Sequence, residues 1–202
     1  MKNKRSEFTK GMESKLEDMA TALVAVQDKF EELEDVKANG AEALTVLQAK
    51  KAELKEEMIL STDLGTAKYL MQQLEETEKD MELQSAINNG QAVKLTGELA
   101  EAFNTFFNAH ASAKTVFIVL DKEYVETMSI RTLEEDTATL DSLASNLNGA
   151  FATAKALLLD AGLADSSTVR YNNTVHLGQM ALLSKGGAMK REMKKVQREL
   201  SI

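Results

Sequence analysis

Chemistry in this chain would have to start from its two histidines, His110 and His176, or from a pair of its 32 carboxylates. A histidine can act as a general acid or base, or as a metal ligand. Neither histidine sits in a pattern that such work uses. A di-iron helical bundle places Glu three residues before each ligating histidine; here Phe107 and Asn173 hold those places. The His-Glu-x-x-His zinc spacing is absent, as are the glycine-rich phosphate loop, the dinucleotide-binding turn and the Gly-x-Ser-x-Gly elbow. The chain has no cysteine, which excludes disulfides, thiolate nucleophiles and thiolate metal sites. His110, in Asn108-Ala109-His110-Ala111-Ser112, is expected at a helix end as a cap or surface residue. The carboxylates run at helical spacing, as in Glu75, Glu76, Glu78, Asp80 and Glu82, which is the pattern of a solvated face. The expectation is a protein that is not an enzyme and uses no cofactor and no metal.

The elements that carry these residues are set by composition. Not one of the 202 residues is proline, where average usage of about 5% would supply roughly ten. Proline breaks helix interiors, so its absence permits long uninterrupted helices. Aromatic residues make up 5% and hydrophobic residues 44%, which points to a core of Leu, Ala, Met and Val. The fold class expected is mainly α: a long helical hairpin or coiled-coil arm plus a helical bundle.

Met12, Leu16, Met19, Leu23, Val26, Phe30 and Leu33 follow alternating 4-3 spacing, the seam of a heptad repeat. The spacing predicts a helix over residues 6–37, stopped at Asn39-Gly40, and a second over 41–60 folded back on it as an antiparallel hairpin. Ser61-Thr62-Asp63 offers the next N-cap, for a helix reaching Asn88-Asn89-Gly90. Leu95, Leu99, Phe103, Phe106 and Phe107 form the densest aromatic cluster and are expected to anchor a core. Residues 115–130 read either as buried helix or as a β-hairpin, because Thr115 to Leu120 is rich in β-branched residues. Thr132-Leu133-Glu134-Glu135 matches a capping box. A helix should follow, with the stripe Leu133, Leu140, Leu143, Leu147, Ala150, Ala154 and Leu157, and Gly162 as its stop. Residues 167–178 again admit a helix or a hairpin about Asn172-Asn173. The resulting organisation is an acidic heptad-bearing arm over 1–90, a globular helical core over 91–184, and a basic amphipathic helix within 185–202.

Two features could bind. The heptad seam from Met12 to Leu33 is a candidate interface with another helix, of this chain or of a second copy. The C-terminal helix, 188–200, sets Met189, Met193, Val196 and Leu200 on one stripe, flanked by Lys190, Arg191, Lys194, Lys195 and Arg198. It follows the hinge Gly186-Gly187, and its methionines suit an adaptable contact with a partner. Residues 11–90 carry eight basic and eighteen acidic side chains, whereas 185–202 carry six basic and two acidic. An acidic body repels nucleic acid, so only the basic ends could attract it.

This design resembles that of small helical bacteriophage assembly and virion proteins: acidic, poor in proline, heptad-bearing, with a short basic end. In capsid scaffolding proteins, a basic helical C-terminus engages the coat shell. The resemblance implies a non-catalytic, self-associating structural or assembly protein whose partners are copies of itself or other assembly proteins. The alternatives are a nucleic-acid-binding regulator using the basic termini, and an acidic helical inhibitor or adaptor presenting residues 75–82. No apolar run follows Met1-Lys2-Asn3-Lys4-Arg5, so no signal peptide is expected. Val116 to Leu120 is far shorter than the ~20 residues of a membrane span. The expected location is the cytoplasm or a particle assembled there.

Overall fold

The computed structural model describes residues 2–127 and 132–164, and they form three helices. These are α1 (Lys2–Leu60), α2 (Leu64–Thr127) and α3 (Leu133–Asp160). Among the described residues there is no strand. The mainly-α class read from the proline-free composition is the class observed.

Two of the predicted breaks are not breaks. α1 runs through Asn39-Gly40 and α2 runs through Asn88-Asn89-Gly90. The predicted hairpin turn at Asn39-Gly40 is therefore corrected to Ser61-Thr62-Asp63, where the helix does end. A glycine inside a helix costs only about 1 kcal/mol relative to alanine, less than the hydrogen bonds and packing on either side supply. At Gly40 the reason for glycine is a close approach: a Cβ there would sit 2.6 Å from the side-chain amide carbon of Asn88.

The 61–63 turn is fixed by Asp63. Its carboxylate accepts the backbone N–H of Thr66 at 2.8 Å and the Thr66 hydroxyl at 2.9 Å, an N-cap on the third helical residue. The bond from the Thr66 backbone is the main cause that holds the Asp63 carboxyl below its ordinary range, so it stays ionised and capping well into acid.

Residues 115–127 are helix, not hairpin. Ala113, Phe117, Leu120 and Tyr124 are buried at 4-3-4 spacing, while Ile118 and Val119 face outward. The β-branched run thus straddles two faces of one helix, and its inward residues continue the period of the aromatic cluster before it. Residues 128–131 and 167–178 lie outside the described residues, as does the C-terminal helix predicted over 188–200.

α3 starts where the capping box predicted, but Thr132 makes no side-chain cap bond. Glu134, Glu135 and Asp136 in its first turn favour the positive end of the helix dipole instead. At its other end Gly162 takes φ +69°, and the N–H groups of Gly162 and Leu163 bond the carbonyls of Leu159 and Leu158 at 3.0 and 3.2 Å. This is the Schellman ending, and Gly162 stops the helix as expected.

The chain divides into two compact units. The first joins residues up to Asp28 with those from Ala100 onward, so the start of α1, the second half of α2 and α3 make a three-helix bundle. Phe103, Phe106 and Phe107 sit at its centre, with Leu120, Leu140, Leu147 and Leu158 fully buried around them. On α3 the buried apolar residues are Leu140, Ala144, Leu147, Ala154 and Leu158. Ala144 and Leu158 take the inward places that the predicted stripe gave to Leu143 and Leu157.

The second unit, Lys29–Leu99, contains two helical segments joined by the 61–63 turn. They run antiparallel, and their cross-contacts nest about the turn. Lys51 meets Glu78 at 2.8 Å, Gly40 lies against Asn88, and Lys29 meets Glu98 at 3.0 Å. Leu33, Leu54, Leu70, Thr77 and Leu99 are its buried side chains.

Candidate functional site: a buried histidine and an open groove

His110 is not a cap or a surface residue. It lies in mid-α2, 2% exposed, inside the three-helix unit. Its ring centre is 5.2 Å from that of Phe151 and 6.1 Å from that of Phe106. The sequence reading missed this because it ended a helix near Ser112. With α2 continuing to Thr127, His110 falls on the Phe103–Phe106–Phe107 stripe.

Burial is the main cause that pushes the His110 pKa down, helped by the Lys114 charge and opposed by the Leu147 backbone. The Leu147 backbone acts on the ring from outside full hydrogen-bond geometry and neither ring nitrogen makes a well-formed bond, so desolvation governs and the ring is neutral at pH 7. The ring is shut away from bulk solvent at this exposure, and among the described residues no group of three or more histidines and carboxylates is placed to hold a metal ion. Its consequence is for stability. The unfolded histidine takes up a proton as pH falls through about 6.5, and the buried ring does not, so acid favours unfolding. The loss begins near that pH and levels off below the lower pKa of the folded state. His110→Leu removes two unsatisfied buried nitrogens and should raise the unfolding free energy by about 1 kcal/mol at neutral pH. The advantage of the variant should widen between pH 7.5 and 5.5. Urea titrations at both values test this, and an unchanged gap would rule it out.

The Lys29–Leu99 unit carries a different feature. Leu44 and Gln48 on α1 and Met81, Glu82, Ser85, Ala86 and Asn89 on α2 line an open groove of about 560 Å³. It exists because Ser85 and Ala86 are too small to fill the space beside Leu44. Glu82, Ala86, Asn89 and Val93 follow 4-3-4 spacing and so share one stripe, and Val93 is 74% exposed. The acidic run falls beside it: Glu75, Glu76, Asp80 and Glu82 are exposed, as a solvated face should be. Glu78 is held below the ordinary carboxylate range chiefly by its hydrogen bond from Lys51. Lys29 is shifted up by its bonds to Glu32 and Glu98. These are exposed pairs, which fix register more than they stabilise.

No family model, no curated protein and no solved structure matches the chain.

The predicted seam residues are turned inward. Met12, Met19, Val26 and Leu33, one per heptad, are buried, and Leu16, Leu23 and Phe30 between them are half-buried. This burial is against the chain's own helices, so the seam has little surface left for another copy. The groove lies apart from the seam, and of the acidic residues singled out in the stretch 75–82 only Glu82 lines it. The small pair Ser85-Ala86 facing Leu44 was the signal that could have found the groove. The basic residues Lys190, Arg191, Lys194, Lys195 and Arg198, with Met189, Met193 and Val196, lie outside the described residues, as does His176. Among the described residues no helix is long and apolar enough to cross a membrane.

Proposed function

We propose that this chain is a non-catalytic, self-associating helical protein with a structural or assembly role, of the kind that bacteriophage-type particles use. The observation that supports the reading is the surface of the Lys29–Leu99 unit. Two helices bury a single seam there and leave Val46, Tyr69, Leu83, Ile87 and Val93 on the outside, at 47–74% exposure. Pairs of helices are marginal without further packing, and apolar side chains gathered on one unit mark an interaction surface. The assembly setting rests on the acidic, proline-free, heptad-bearing design alone. Light scattering across a concentration series should give a native mass that is a multiple of the chain mass of 22.2 kDa. A chain that stays monomeric at the highest concentration reached would end the self-association reading. A second reading, an acidic adaptor for another protein, draws on the exposure of Glu75, Glu76, Asp80 and Glu82.

A further inference from the structure

Any contact between copies must overcome charge. Residues 29–99 carry fifteen acidic and eight basic side chains, so two such units facing each other repel. Of the basic ones, Lys37 is paired with Glu34, Lys51 with Glu78, and Lys29 with Glu32 and Glu98. The excess is shared by the two helices, with eight acidic and five basic side chains over residues 29–60 and six acidic and three basic over 64–99, and Glu82 lines the groove itself. The chain's own complement to that surface is residues 185–202, with six basic and two acidic side chains.

The apolar spacing agrees as well as the charge. In the three-helix unit, α3 presents Leu140, Ala144, Leu147, Ala154 and Leu158, on 4-3 spacing, to the other two helices. The Lys29–Leu99 unit has two helical segments and a groove along them. Met189, Met193, Val196 and Leu200 repeat the 4-3-4 spacing of α3 in the basic segment. The groove, from Met81 to Asn89, covers about 12 Å of helix at 1.5 Å per residue. That length takes three successive apolar side chains of such a stripe. Residues 165–187 separate the end of the described α3 region from this segment, and fully extended a tether of that length spans roughly 80 Å.

We infer that the basic segment 188–200 of a neighbouring copy docks in the groove formed by Leu44, Met81, Glu82, Ser85 and Asn89. The contact deepens the self-association reading and rests on it. It is heterologous: one surface of each copy meets a different surface of the next, which builds rings or filaments rather than a two-fold dimer.

The absence of cysteine makes the test direct. Two full-length variants are prepared, one with Ser85→Cys and the other with Met193→Cys, then mixed in equal amounts and mildly oxidised. Peptide mass spectrometry should find the 85–193 disulfide between copies in clear excess over the 85–85 and 193–193 products. Adding Lys190→Glu and Lys194→Glu to the second variant should lower the yield about tenfold at low salt, and raised salt should lower the unaltered pair in the same direction. Products in statistical proportion, or no 85–193 link, overturn the inference. So does a link that forms only within one chain when both substitutions are placed together. Light scattering on the unaltered chain separates the two failures. A multimer without the 85–193 link ends this contact and leaves self-association standing, whereas a monomer ends both.

Discussion

Replacing Phe107 with alanine should lower the unfolding free energy by about 3–5 kcal/mol. Phe107 is 1% exposed and is the hub of the aromatic cluster. Its ring stacks on Phe103 at 6.2 Å and meets Phe106 and Phe151 edge to face at 5.3 and 5.9 Å. Truncation removes the transfer energy of a whole ring and leaves a cavity whose walls are other large rings, which cannot all move inward together. Domains of this kind have a total stability of ~5–15 kcal/mol, so the loss is a large share of it. Phe107→Leu should recover more than half. Val119→Ala, on the exposed side of the same helix, should stay within ~0.5 kcal/mol of the parent. Urea unfolding followed by helical circular dichroism measures all three. Equal midpoints for Phe107→Ala and Val119→Ala would contradict the core as described.

Asn89→Pro should cost about 3 kcal/mol or more. Asn89 is exposed, so little packing is lost, and the penalty comes from the backbone alone. In the middle of α2 a proline removes one hydrogen bond and drives its ring against the carbonyl of Ser85. Had the chain turned at Asn88-Asn89-Gly90, as its residue types suggest, proline beside the glycine would be well tolerated. The substitution therefore decides between a turn and a continuous helix. Loss of helicity or a large drop in the unfolding midpoint is expected; an unchanged midpoint would restore the turn.

These two sites show which parts of the fold were legible in the sequence. The aromatic cluster was read correctly because Phe103, Phe106 and Phe107 leave only one way to bury three rings on one helix. The heptad seam was read correctly as a helix face because 4-3 spacing from Met12 to Leu33 has no strand equivalent. What failed was punctuation. Asn-Gly is a turn signal only where the flanking helices gain nothing by continuing, and that gain depends on what lies across the hairpin. At Gly40 the partner is Asn88, far away in sequence, and no local window holds that fact. His110 was misplaced by the same error, since a helix assumed to end near residue 112 has no interior there. The groove was hidden for a related reason: it is defined by which residues are small opposite Leu44, and that requires the register of the pair.

The division of the chain into units also has a consequence for how the chain pays its entropy. The three-helix unit is built from two stretches of sequence, separated by all of Lys29–Leu99. Bringing Asp28 and Ala100 together as the ends of an open loop of that length would cost about 4 kcal/mol in chain entropy. The hairpin makes that closure stepwise. Its contacts lie progressively farther from the Asp63 turn, and the outermost, Lys29 with Glu98, joins residues next to the two ends. Each step closes only a short additional loop, and each is rewarded by its own packing before the next. The two-helix unit thus works as a topological staple for the bundle, a role that cross-linking cysteines would fill in a chain that had them.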